Sequence, residues 1–141
     1  MVVLHEGGDL RAAYTDGGTT TAGRVMFPDT YGDLDAPFAA YHSMNDPVSG
    51  GGAIRAVVAA GHLVRTRADS DSEEPNALNY DRAEAALASG AQFISTDYPF
   101  PGDDESYGFT IPGGTPSRCN PISAPAECTS ADIEDPVLLA E

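Results

Sequence analysis

Two stretches of the chain carry apolar residues at helical spacing. In residues 53–60 (AIRAVVAA) these are Ile54, Val57 and Val58; in residues 79–89 (NYDRAEAALAS) they are Ala83, Ala86 and Leu87. Asn79 is placed to cap the second helix, and each helix closes on a glycine, Gly61 and Gly90. A short apolar run that ends in polar groups follows each glycine: residues 62–69 (HLVRTRAD) and residues 93–99 (FISTDYP). Helix, glycine, strand and polar tip, repeated, predict a parallel α/β barrel with its chemistry at the C-terminal strand ends.

The earlier chain extends the pattern. Residues 2–4 form a short strand ending at His5 and Glu6, and Asp9 caps a brief helix that stops at the Asp16-Gly17-Gly18 turn. Strands are expected over residues 23–27, broken by Pro28, and over residues 37–44, ending at Asn45-Asp46-Pro47. Three glycines, Gly50–Gly52, read as a hinge into the helix at residue 53. Residues 70–78 are a polar, acidic loop.

Four or five strand–helix units result. The chain has 141 residues, whereas a full eight-stranded barrel needs about 250. The expected fold class is therefore α/β, the C-terminal half of a TIM-type (β/α)8 barrel with an irregular, disulfide-stapled tail. Residues 1–100 are the partial barrel and residues 101–141 the tail, whose last residues read as frayed. A half-barrel leaves two sheet edges open, so closure calls for the missing half-barrel or another chain.

Alternation along residues 62–69 sends Val64, Thr66 and Ala68 toward the helices and Leu63, Arg65, Arg67 and Asp69 into the barrel. Two guanidinium groups inside a barrel must meet anions. A salt-bridge ladder is one outcome; the other is that Arg67, nearest the tip, meets a phosphate through its planar fork. Asp97 and Tyr98 sit at the matching tip of the next strand. Asp97 is a partner for Arg67, a turn cap or a cation ligand, and Tyr98 packs or lines a ring-shaped substrate. His42, with Asn45 and Asp46, lies near a third tip and is an acid–base candidate beside a structural role. His62, at the start of its strand, is discounted; His5 and Glu6 have no support nearby.

Composition narrows the partners. The net charge is −15 and all seven basic residues are arginine. That balance argues against nucleic acid and against adsorption to an anionic membrane. The acidity suits a solvating surface, with a divalent-cation site as the sharper alternative. No run is long and apolar enough to span a membrane, and the opening residues lack a secretory signal, which for an exported protein would lie upstream. Cys119 and Cys128 lie nine apart in a proline-rich loop with no third metal ligand nearby. A local disulfide in a secreted, extracytoplasmic protein is favoured over two free thiols in the cytosol. No GxSxG, GxxxxGK, GxGxxG or HExxH motif occurs.

The segments GRVMF, AGHLVRTRADSD, ALASGAQFISTDYP and IPGG..SRCNP..AP..C occur in this order. Together they resemble the C-terminal half of the bacterial secreted, calcium-dependent phosphoinositide-specific phospholipase C family, over roughly residues 2–128. Glycerophosphodiester phosphodiesterases are similar but usually lack the RCNP…C tail. The resemblance implies phosphodiester cleavage: the inositol 2-hydroxyl attacks phosphorus, a base takes its proton, an acid protonates the departing diacylglycerol, and Ca2+ neutralises phosphate charge. The family's paired catalytic histidines belong to the first half of the barrel and do not map onto His5, His42 or His62. Arg65, Arg67, Asp69, Asp97 and Tyr98 fall on its final strands as substrate-lining candidates. His5-Glu6 departs from the aspartate–asparagine-like pair expected at the first tip. The expected function is a phosphoric diester hydrolase acting on a phospholipid or related phosphodiester, inactive as this chain alone. A glycerophosphodiesterase and a non-catalytic lipid- or carbohydrate-binding module are the rivals.

Overall fold

The computed structural model describes residues 1–70, 73–99, 107–112 and 117–133. Strands and helices follow in the order β1 (Val3–Leu4), α1 (Gly8–Tyr14), β2 (Phe27–Pro28), β3 (Tyr41–Ser43) and α2 (Pro47–Ala59). Then come β4 (Leu63–Arg67), α3 (Glu73–Ala77), α4 (Asp81–Ser89) and β5 (Phe93–Ser95). Every pairing is parallel. β1 pairs with β2, and β3, β4 and β5 form a second sheet in that order. A single parallel bridge between Asp29 and Tyr41 links the two. The protein is thus a mixed α/β structure with small parallel sheets.

β4 is the middle strand, and its two-residue period decides the packing. Val64, Thr66 and Ala68 are fully buried while Leu63, Arg65 and Arg67 are half-buried. Val64 joins Ile54, Val57 and Val58 of α2 and Ala91 in one apolar cluster. Ala68 joins Ala83 and Phe109 in another, with Leu87 and Ile94 against it. The helices therefore cover one face of β4 and leave both arginines on the other, as alternation requires.

Several boundaries differ from the sequence pattern. α2 begins at Pro47, so Gly50–Gly52 are helical and form no hinge. Asp46 is its cap, accepting from the backbone N–H groups of Val48 and Ser49 at 3.2 and 3.3 Å. An aspartate cap followed by proline in the first turn outweighs the entropic cost of the glycines. In place of a strand over residues 23–27, only Phe27 and Pro28 pair, because the N–H groups of Val25 and Met26 bond the Tyr14 hydroxyl. Pro28 is tolerated because Phe27 and Asp29 on either side donate to Val2 and Leu4, so its missing N–H faces away from β1. The third strand is confined to Tyr41–Ser43, and part of the expected acidic loop is α3.

The tail is anchored on α4. Gly90 ends that helix at φ +79°. Asn120 Nδ2 donates to the Gly90 carbonyl at 2.7 Å, and Arg118 donates to the Leu87 carbonyl. Cys119 and Cys128 form a disulfide, as the spacing suggested. Tyr107 is buried, stacks on Tyr80 at 4.7 Å and donates to the Ala68 carbonyl at 3.2 Å. Burial, then the charges of Asp69 and Glu74, push its hydroxyl up to about 12. Residue 100 of the expected barrel and residues 101–106, 113–116 and 134–141 of the expected tail lie outside the described residues.

Candidate functional site

The parallel register carries the face of Arg65 and Arg67 across the neighbouring strands. Ser43, Arg65 and Phe93 stand side by side, and one step on Arg67 stands beside Ser95. These residues lead to the C-terminal ends of β3, β4 and β5, where the chain turns polar.

At the tip of β4, Arg67 Nη2 donates to Asp97 Oδ2 at 2.9 Å and lies 3.8 Å from Asp69 Oδ1. Asp69 is fully buried and accepts from the Thr96 hydroxyl and from the Asp97 N–H at 3.2 Å. Its carboxylate ties the two strand ends together. Arg65 behaves differently. Its Nη1 donates to Asn45 Oδ1 at 2.6 Å, and it makes no ion pair among the described residues. The structure therefore brings Arg65, Arg67, Asp69 and Asp97 to one rim. Tyr98 adjoins that rim, with its ring edge-on to Tyr107.

A second group of residues lies beside Arg65. Asp29, at the end of β2, is fully buried. It accepts from His5 Nδ1 at 2.8 Å and from the N–H groups of Tyr31 and Ser43, each at 2.9 Å. Arg11 donates to its carbonyl at 2.8 Å, and the Tyr31 hydroxyl donates to the His5 carbonyl. A cavity of about 280 Å³ opens here, lined by Val3, His5, Tyr41, Ser43 and Arg65. Sequence reasoning gave Asp29 no role, because the strand was ended at Phe27. An aspartate directly after an apolar run was the available signal.

His42 is not at this rim. It pairs in register with Val64 and shares that residue's helix-side face. It is fully buried: Nδ1 accepts from the Gly32 N–H at 3.1 Å and contacts the Thr30 hydroxyl at 2.8 Å. With Nδ1 accepting, the neutral ring donates from Nε2 to His62 Nδ1, 2.9 Å away. Burial, then the neighbouring His62, lower its pKa from 6.5. These contacts are structural. Asn45 and Asp46 are also engaged, the first by Arg65 and the second as the α2 cap with Arg82 at 3.6 Å. On the helix side, a larger cavity of about 670 Å³ is lined by residues including Leu87, Ile94, Phe109 and Arg118.

Parallel α/β proteins form a class whose ligand sites gather at the carboxyl ends of the strands, where the polar side chains of this chain also stand. Within that class, this chain belongs to the family described as "Phosphoinositide phospholipase C, Ca2+-dependent", whose model matches residues 1–121. It is a family of phosphodiesterases. Comparisons with curated proteins and with solved structures gave no match.

The family's name carries a calcium requirement, which can be set against the residues present. Calcium takes about six to eight hard oxygen ligands. Among the described residues no three His, Cys, Asp or Glu side chains converge. Asp29 and Asp69 are buried under hydrogen-bond donors and Asp97 faces Arg67. The described residues do not fit a calcium ion.

Proposed function

We propose that this chain is part of a phosphodiesterase barrel that acts on a phosphoinositide or a related phospholipid phosphodiester, and that it does not turn substrate over alone. One observation carries the reading: two arginines stand on the same face at the C-terminal end of a parallel strand, in a chain of this family. The barrel reading is supported by strands that run parallel in chain order and by helices packed on one face. Among the described residues both sheets end in unpaired strands, β1 and β5, as an unclosed barrel would.

Cleavage of such a diester forms a bond from an attacking hydroxyl oxygen to phosphorus and breaks the bond to the lipid oxygen. A proton leaves the hydroxyl and another reaches the leaving oxygen. The role we assign to this chain is binding and charge stabilisation. Arg65 and Arg67 would hold the non-bridging oxygens and offset charge that grows on them in the transition state. Asn45 fixes the first guanidinium and Asp97 the second, which keeps the donors oriented before substrate arrives. Asp69 keeps the strand ends in register, and Tyr98 bounds the rim on the tail side. The Cys119–Cys128 bond supports export to an oxidising compartment.

The test is turnover with calcium present, following cyclic inositol phosphate from phosphatidylinositol vesicles and glycerol 3-phosphate from glycerophosphodiesters. The chain alone should yield neither, and co-expression with its upstream coding region should yield the cyclic product. Robust turnover by the 141-residue chain would overturn the partial-barrel reading. Glycerol 3-phosphate from the completed protein would make it a glycerophosphodiesterase; no product would make it a binding module.

A further inference from the structure

We propose that His5, Ser43 and Arg65 form a phosphate-binding subsite, with Asp29 and Asn45 as its positioning residues. The inference rests on the reading that a phosphate ester is the ligand, and it gives that phosphate a definite seat. Three side chains, one just past β1, one ending β3 and one in the middle of β4, line one cavity of about 280 Å³. Arg65 is the cationic one. It is half-buried, and its hydrogen bond to neutral Asn45 leaves its charge uncompensated among the described residues. A guanidinium in that state, beside an open cavity, favours an anion.

The other two groups are aimed by buried Asp29. Its Oδ1 takes the backbone N–H of Ser43 and its Oδ2 meets His5 Nδ1. A carboxylate on Nδ1 fixes the imidazole orientation and leaves Nε2 as the unbonded ring nitrogen. The His5 side chain is 63% exposed and borders the cavity. Ser43 contributes a hydroxyl whose other contact, the Tyr41 hydroxyl, is a long 3.4 Å. A tetrahedral phosphate matches this set: the guanidinium fork takes one or two oxygens, the Ser43 hydroxyl donates to another, and His5 Nε2 accepts from a protonated phosphate oxygen. Arg67 differs in kind, because Asp97 and Asp69 already neutralise it.

The experiment is an NMR titration of the isotope-labelled 141-residue chain with inorganic phosphate, following the histidine ring signals. The His5 ring should shift saturably while His42 and His62 stay unchanged. Arg65→Gln should weaken binding by about tenfold or more, and Arg67→Gln by a smaller factor because Asp97 and Asp69 already draw on that guanidinium. Asp29→Asn should weaken it and also redistribute the proton between the two His5 ring nitrogens, read from their 15N shifts, which general loosening would not do. Should that buried variant not fold, Ser43→Ala carries the same expectation of weaker binding. Loss of binding in Arg67→Gln with retention in Arg65→Gln would overturn the subsite and leave the phosphodiesterase reading intact. A saturable shift elsewhere with a silent His5 ring, or no saturable shift at all, would overturn it too.

Discussion

Asp29 and His42 sit on adjacent strands, and both are fully buried, yet they face opposite sides of the sheet. Asp29 shares its side with Tyr41 and the cavity; His42 looks toward the helices. A buried histidine whose pKa is lowered resists the proton that the unfolded chain accepts. Below the ordinary value of 6.5 the unfolded state binds more protons, so the His42 contribution is complete above that value and is lost as pH falls toward the depressed one. The melting temperature should therefore drop as pH falls through the ordinary value of 6.5, and His42→Gln should flatten that drop even if it lowers stability overall. Thermal melts across this window check it; an equal slope in the variant would assign the drop to other groups. Glu74 adds a separate, lower window. Burial would raise it, but hydrogen bonds from Arg82 and the Ser70 backbone outweigh that and hold it below the usual range. Its contribution disappears as pH falls through that depressed value. At this scale the alternation of β4 was legible, because two arginines among apolar residues mark a two-residue period. The facing of His42 was not, since the expected strand over residues 37–44 mostly forms turns before Tyr41.

The glycines after α2 and α4 look equivalent in sequence and differ in the element they serve. Gly61 (φ +88°) has no atom within reach of an added Cβ, whereas a Cβ on Gly90 (φ +79°) would lie 2.3 Å from Ile122 Cδ1. Gly61→Ala should cost only the left-handed backbone penalty, about 1 kcal/mol. Gly90→Ala should cost that plus displacement of the tail, about 2 to 4 kcal/mol in all. Combining Gly90→Ala with Ile122→Ala should be less damaging than the two losses added, by about 1 kcal/mol or more. Denaturant unfolding of the four variants gives the numbers, and strict additivity would mean that Ile122 does not rest on Gly90. The helix stop was readable from the glycine alone. The tail docking was not, because residues 118 and 120 reach α4 through backbone carbonyls, which no side-chain pattern records. The early start of α2 was encoded by Asp46-Pro47 and obscured by the glycines that follow.

Over the whole molecule, two opposing forces act on the open sheet. β1 and β5 end the sheets among the described residues, and unpaired parallel edges template association with other chains. Beside β5 lies the 670 Å³ cavity, whose lining includes the apolar residues Leu87, Ile94 and Phe109, and burying such surface adds to the drive. Against this stands a net charge of −15, which makes copies repel one another. The attraction is short-ranged and barely depends on salt, while the repulsion is screened within about 10 Å at 0.1 M salt. The balance should therefore tip with ionic strength. Sedimentation velocity on the isolated chain should show a monomer at low salt and growing association as salt rises, and co-expression with the complementary half-barrel proposed above should abolish that dependence by occupying both edges. A chain that stays monomeric at every salt concentration would mean that its edges are already covered, which would remove the main structural reason for regarding the sheet as unfinished.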